Sequence, residues 1–211
     1  MSDEKSTPAF HSSQVGEHDA TSPFTKGAHR IQLTPGNVHA QIAAGAALNV
    51  SSGFTLFPPM NGGVGYSLRV VLGGGAANPI LFTIDGLLPD GATPAHLQMS
   101  VVGGAGTYEL IDTQTGLAVA FSAITKLTTD VNPGGTVDVQ TLDLYTSVRF
   151  RAIKVGGIGD VVARLIDDSV DMPWTCVQGD MLPIEPAIVR CDMTGRTGIS
   201  RTTATALTIG R

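Results

Sequence analysis

The chain has 211 residues, with 18 acidic against 13 basic side chains, a net charge of −5 and a pI near 5.4. This balance excludes a surface built to neutralise a phosphate backbone, which needs a clustered Lys/Arg face. No apolar stretch approaches the length of a bilayer span, and the N-terminus lacks the charged-then-apolar pattern of a signal peptide, so a soluble protein made in the cytoplasm is expected.

Apolar residues make up 42% of the chain, but Lys occurs only at positions 5, 26, 126 and 154 and Glu only at 4, 17, 109 and 185, so helices should be few and short. One main core is expected. Two cysteines, Cys176 and Cys191, are too few for a disulfide-built scaffold and are read as free thiols.

Residues 1–28, MSDEKSTPAFHSSQVGEHDATSPFTKGA, show no apolar period and cannot alone offset their ordering entropy. They read as a polar N-terminal arm that gains order against a partner, with Phe10, His11, His18, Phe24, His29 and Arg30 as its expected contact residues. Four of the five histidines, His11, His18, His29 and His39, lie in the arm or just after it; their irregular spacing preorganises no metal site and suits pH-sensitive contacts instead. RIQLTPGNVHAQIAAGAALNV, from Arg30, reads as a strand or as an extended arm lying on a neighbour.

Short runs then follow at close spacing: 53–57, 66–72, 80–84, 97–102, 107–112, 117–124, 136–142, 145–155, 160–167, 187–191 and 205–209. Nearly every gap holds Gly, Pro, Asn or Asp, the pattern of an antiparallel sandwich or barrel. VVLGGGAANPILF lacks the Lys and Ser/Thr of a phosphate loop and reads as a turn between strands. TYELIDTQTGLAVAFSAI reads as a hairpin whose loop is DTQTG. In YTSVRFRAIKV, Val148, Phe150 and Ala152 alternate with Arg149 and Arg151, the period of a half-buried strand; the Arg149, Arg151, Lys154 patch is then an ordinary solvated face. The segment around 171–186, with three prolines between Pro173 and Pro186 and the only Trp, reads as irregular chain packed over the sandwich.

AIKVGGIGDVVARLIDDSVD resembles the opening of a dinucleotide-binding fingerprint, but its third glycine position holds Val162. The competing reading is a hairpin, with Val155 and Val161 flanking a Gly-rich loop. Asp167, Asp168 and Asp171 do not match a calcium loop and read as solvated acids at a strand end. His96 has no nucleophile elbow to pair with. No catalytic, cofactor or metal residue is assigned.

The fold class expected is all-β: one antiparallel β-sandwich over 29–211, jelly-roll-like, behind the arm of 1–28. Stretches such as VVLGGGAANPILFTIDG and VNPGGTVDVQTLDLYTSVRFRAI give residues 30–211 an overall character that resembles the capsid-decorating or cementing proteins and head fibres of tailed bacteriophages. That resemblance implies a non-enzymatic virion protein that binds the major capsid protein or other virion proteins, without nucleic acid or membrane, and forms a homo-oligomer, a trimer being favoured. The alternatives are a receptor- or glycan-binding module using loops at 58–65 or 171–186, a shell-forming coat protein, and a nucleotide-binding enzyme using residues 156–168. Lys5 and Lys26 against Asp3, Glu4, Glu17 and Asp19 suit an arm that meets protein better than one that meets RNA.

Overall fold

The structure, a computed structural model, describes residues 29–31, 35–39, 41–43, 45–56, 63–75, 79–102, 104–191 and 202–210. Fifteen strands and no helix occur among them. Three short strands come first, β1 (His29–Arg30), β2 (Ile42–Ala43) and β3 (Asn49–Val50). The middle of the chain supplies β4 (Val64–Leu72), β5 (Ile80–Leu87), β6 (Pro94–Val101), β7 (Gly106–Glu109), β8 (Ala123–Thr129) and β9 (Thr136–Thr146). The last third supplies β10 (Ala152–Lys154), β11 (Gly159–Leu165), β12 (Asp171–Cys176), β13 (Met181–Leu182), β14 (Pro186–Val189) and β15 (Thr208–Gly210).

Every strand pairing is antiparallel, as the sequence leads one to expect. A central sheet runs β12-β11-β14-β9-β4-β7, with β2 also beside β9; a second runs β3-β8-β5-β6 and a third β1-β15-β10-β13. The architecture is compatible with a β-sandwich, and the three-sheet strand order does not by itself spell out a jelly roll.

Instead of one main core, the buried apolar side chains form two clusters. Ile80, Phe82 and Ile84 of β5, with Leu97 and Leu127, pack on Leu68, Val70, Leu72, Val137 and Val139 in an N-terminal lobe. In a C-terminal lobe, Ile153 and Ile209 pack with Val161, Ala163, Val189, Leu144, Val64 and Tyr66. Both lobes draw on β4 and β9, which pair from Val64↔Thr146 to Leu72↔Val137 and form a shared spine.

The register of that pair shifts by one between Tyr66 and Leu68. On β9 the buried apolar positions are 137 and 139, then 142 and 144, so the phase of alternation changes midway. Without the bulge, one pair would turn outward, at about 1.5–3 kcal/mol per side chain. At the shift, Ser67 and Asp143 are fully buried, and the Ser67 Oγ accepts the Asp143 N–H at 3.1 Å, satisfying a donor that the broken ladder leaves over.

The triple glycine is a crossing. Because β4 and β5 lie in different sheets, Gly73–Gly75 carry the chain from the spine to the second sheet. A Cβ on Gly135 would lie 2.6 Å from both N and Cα of Gly74, so the two loops meet backbone to backbone and a side chain does not fit between them. The DTQTG reversal stands, with the Asp112 N–H donating to Leu117 O at 2.9 Å and Ile111 bridged to Ala118.

Several local expectations fail. Residues 145–155 are not one strand: β9 stops at Thr146, and 147–151 carry the chain into the third sheet, so the alternation of buried Phe150 with exposed Arg149 and Arg151 records burial on a connection. Val155 and Val161 do not flank a hairpin, since β10 pairs with β13 and β15 whereas β11 pairs with β12 and β14. Residues 53–56 form no strand, Phe57 lies outside the described residues, and the 117–124 run becomes a strand only at Ala123. The 171–186 segment is not irregular throughout, for it contains β12 and β13. Pro173 is accommodated because the opposite residue, Val162, sends its N–H to Thr202 Oγ1 and receives the Arg190 N–H, which makes Val162↔Pro173 a pair that needs no donor.

Candidate interaction surface

In the C-terminal lobe the outer edges of β12 and β13 have no strand partner among the described residues. β12 closes the end of the central sheet and β13 the end of the third, so residues 171–182 run from one sheet edge to the other. Trp174 packs half-buried against the core and Cys176 is buried, while neighbours on the same segment face solvent. Of the eight large apolar side chains exposed among the described residues, Met172, Val177 and Met181 lie on this segment, Val170 just before it and Ile158 on the turn before β11. Scattered exposed apolar residues need no explanation, whereas a concentration on one edge is a candidate interaction surface.

The edge is held rigidly. Asp171, at the start of β12, receives Arg164 Nε at 2.9 Å and the guanidinium fork of Arg190 at 2.8 and 3.3 Å. Arg190 also donates to Asp143 Oδ2 at 2.6 Å, and the second oxygen of Asp143 accepts the Cys191 N–H at 3.1 Å. Burial alone would raise the Asp171 carboxyl, but the bonds and charge of Arg190 and Arg164 outweigh it and hold it below the ordinary carboxylate range. Burial likewise favours deprotonating Arg190, and its two aspartates overcome this and hold the guanidinium charged. The network thus joins the edge strand to the spine at its bulge.

The residues named from sequence distribute as follows. Phe10, His11, His18 and Phe24 lie outside the described residues. His29 and Arg30 form β1, paired with Ile209 and Thr208, and Arg30 is exposed. Gly157 to Val162 lead into β11, a strand where a dinucleotide fingerprint requires a helix N-terminus for the diphosphate. The carboxylates at 167–171 do not converge: Asp171 binds the two arginines, whereas Asp168 accepts the Val170 N–H at 3.2 Å within a turn and Asp167 takes φ of 68°. His96 lies opposite Asp85, its Nδ1 2.6 Å from the carboxylate, on the exposed face of the second sheet. Arg149 pairs with Glu185, while Arg151 and Lys154 are exposed. Among the described residues, no three His, Cys, Asp or Glu side chains gather as a metal site.

The sequence pointed to 171–186 only as a receptor-contacting loop in the alternative reading, and left its edge strand and the Arg190 network unassigned. Pro173 in an apolar run was the one available sign of an edge strand. No protein-family model, curated protein or solved structure matches the chain.

Proposed function

We propose that this protein acts by surface contact, as a non-enzymatic structural component of a virus particle that docks on capsid subunits. The exposed apolar edge of the C-terminal lobe, braced by the Arg190 network, supports this reading: a rigid surface loses little conformational freedom on binding. The acidic balance of residues 1–28 favours a protein partner for the arm, and many copies on one shell would add through multivalency.

The test is co-sedimentation of the full-length chain with shells assembled from the capsid protein of the same genome. Binding that falls at least about tenfold in Met172→Asp, or when residues 1–28 are removed, fits the proposal. Undiminished binding by both variants, or none by the parent chain, counts against it. A glycan array bound by the parent and lost in Met172→Asp would move the reading to a receptor-binding module.

A further inference from the structure

The tip of this edge carries exposed apolar side chains bordered by charges of both signs, and the geometry points to a second copy of this chain as its partner, in a two-fold dimer. The inference rests on the contact-protein reading and names the partner of one part of that surface.

Two turns form the tip. The Val155 N–H donates to Asp180 O and the Gly179 N–H to Val155 O, both at 2.8 Å, which ties the turn after β10 to the turn before β13. The Gly159↔Cys176 register places their neighbours Ile158 and Val177 at the same end of the β11–β12 pair. Ile158, Val177 and Met181 are 74%, 55% and 51% exposed, an apolar centre on a tightly bonded frame.

Charges of both signs border that centre. The Lys154↔Met181 register puts Lys154 beside Met181 on one face, exposed and with no ion pair among the described residues. Asp180 and Asp160 border the trio within the chain. Asp180 Oδ2 accepts the Val177 N–H at 2.8 Å and Asp160 Oδ1 the Thr175 hydroxyl at 2.7 Å, and a carboxylate keeps lone pairs for further donors.

A two-fold interface requires one patch to present both halves of every pair. In the proposed pairing, an axis through the apolar centre sets Lys154, on the β10–β13 side of one copy, against Asp160, on the β11–β12 side of the other. A strongly acidic or strongly basic partner would instead meet like charge on one border. Strand addition is not the mode of contact, since β13 spans two residues and β12 carries Pro173.

The experiment is sedimentation velocity of the full-length chain at concentrations up to about 100 µM. A reversible dimer is expected, weakened at least about tenfold by Val177→Asp, and weakened by Lys154→Glu most strongly at low salt. Far-UV circular dichroism and melting of each variant should match the parent, because both side chains face solvent. A monomer at every concentration, a discrete trimer, or a dimer indifferent to both substitutions overturns the inference. If the parent is monomeric yet still binds capsid shells through Met172, the dimer fails while the contact reading stands; a tip-dependent dimer that binds no shell gives the reverse.

Discussion

Asp112 caps the edge of the second sheet at Gln98. Its Oδ1 accepts the Gln98 N–H at 3.1 Å, while the neighbouring Thr113 N–H donates to Gln98 O at 2.8 Å. The turn after β7 therefore supplies both partners that a further strand would otherwise bring to the middle of β6, one way to keep an edge from pairing with another molecule. The other oxygen of Asp112 receives the Thr115 N–H and hydroxyl, both at 2.9 Å, so one carboxylate also closes the DTQTG reversal.

Asp112→Ala should lower stability by about 1.5–3 kcal/mol, the range for losing hydrogen bonds to a charged group, and increase aggregation through β6. Urea unfolding and light scattering read the two effects separately.

Acid should weaken the same contact. The Gln98 N–H first, and the bonds from Thr115, hold the Asp112 carboxyl below its ordinary value against the effect of burial; the arginines do the same for Asp171. A depressed folded pKa means stability that is present above the unfolded value and lost as pH falls through the folded one. Parent stability should therefore drop in the acid range below the ordinary carboxylate pKa, and the drop should be smaller in Asp112→Asn. Urea midpoints from neutral to acid pH check this.

Arg190→Ala should cost about 3–5 kcal/mol, because Asp143 would remain buried without its cation. Replacing both, Arg190→Met with Asp143→Leu, should recover much of the loss, since an apolar pair of similar size removes the uncompensated charge. A double-mutant cycle in urea measures the coupling.

Gly135→Ala should destabilise by at least about 1–3 kcal/mol, as its Cβ would meet the Gly74 backbone, which has no flexible end to move. Gly91→Ala is the control: its φ is 75° but nothing lies within 4 Å, so its cost should stay near 1 kcal/mol. Thermal midpoints of the two variants should separate clearly.

Cys176 and Cys191 are buried and not joined in a disulfide, and burial together with the nearby Asp180 raises the Cys176 thiol above its ordinary value. A thiol-specific chromogenic reagent should label neither in the native protein near pH 8 and both in denaturant. Rapid native labelling would contradict the burial.

The strands were readable where one face meets the core. β5 buries Ile80, Phe82 and Ile84 while its odd-numbered neighbours face outward, so period two in the sequence is period two in space. Sheet membership was not readable. Val155 and Val161 flank glycines as hairpin residues do, and only distant partners, Met181 and Thr208 for Lys154 and Thr175 for Asp160, send the two strands to different sheets. The bulge did leave a trace, the change of phase between Val139 and Leu142, which a reading that ends one strand at 142 and starts another at 145 passes over. The apolar edge at 170–182 left only Pro173 as a sign, because Met172, Trp174 and Cys176 alternate like core residues, and their different exposure follows from where the sheet ends.

The shared spine also bears on how the chain reaches its fold. β4 and β9 come from positions 64–72 and 136–146, so pairing them closes a long loop before either lobe can complete its core. Contacts so far apart in sequence make folding slow, in the millisecond-to-second range of β-rich domains or beyond. The same linkage means that neither lobe can release its core without parting the spine, so the two should melt together and their slowest-exchanging amides should lie on β4 and β9.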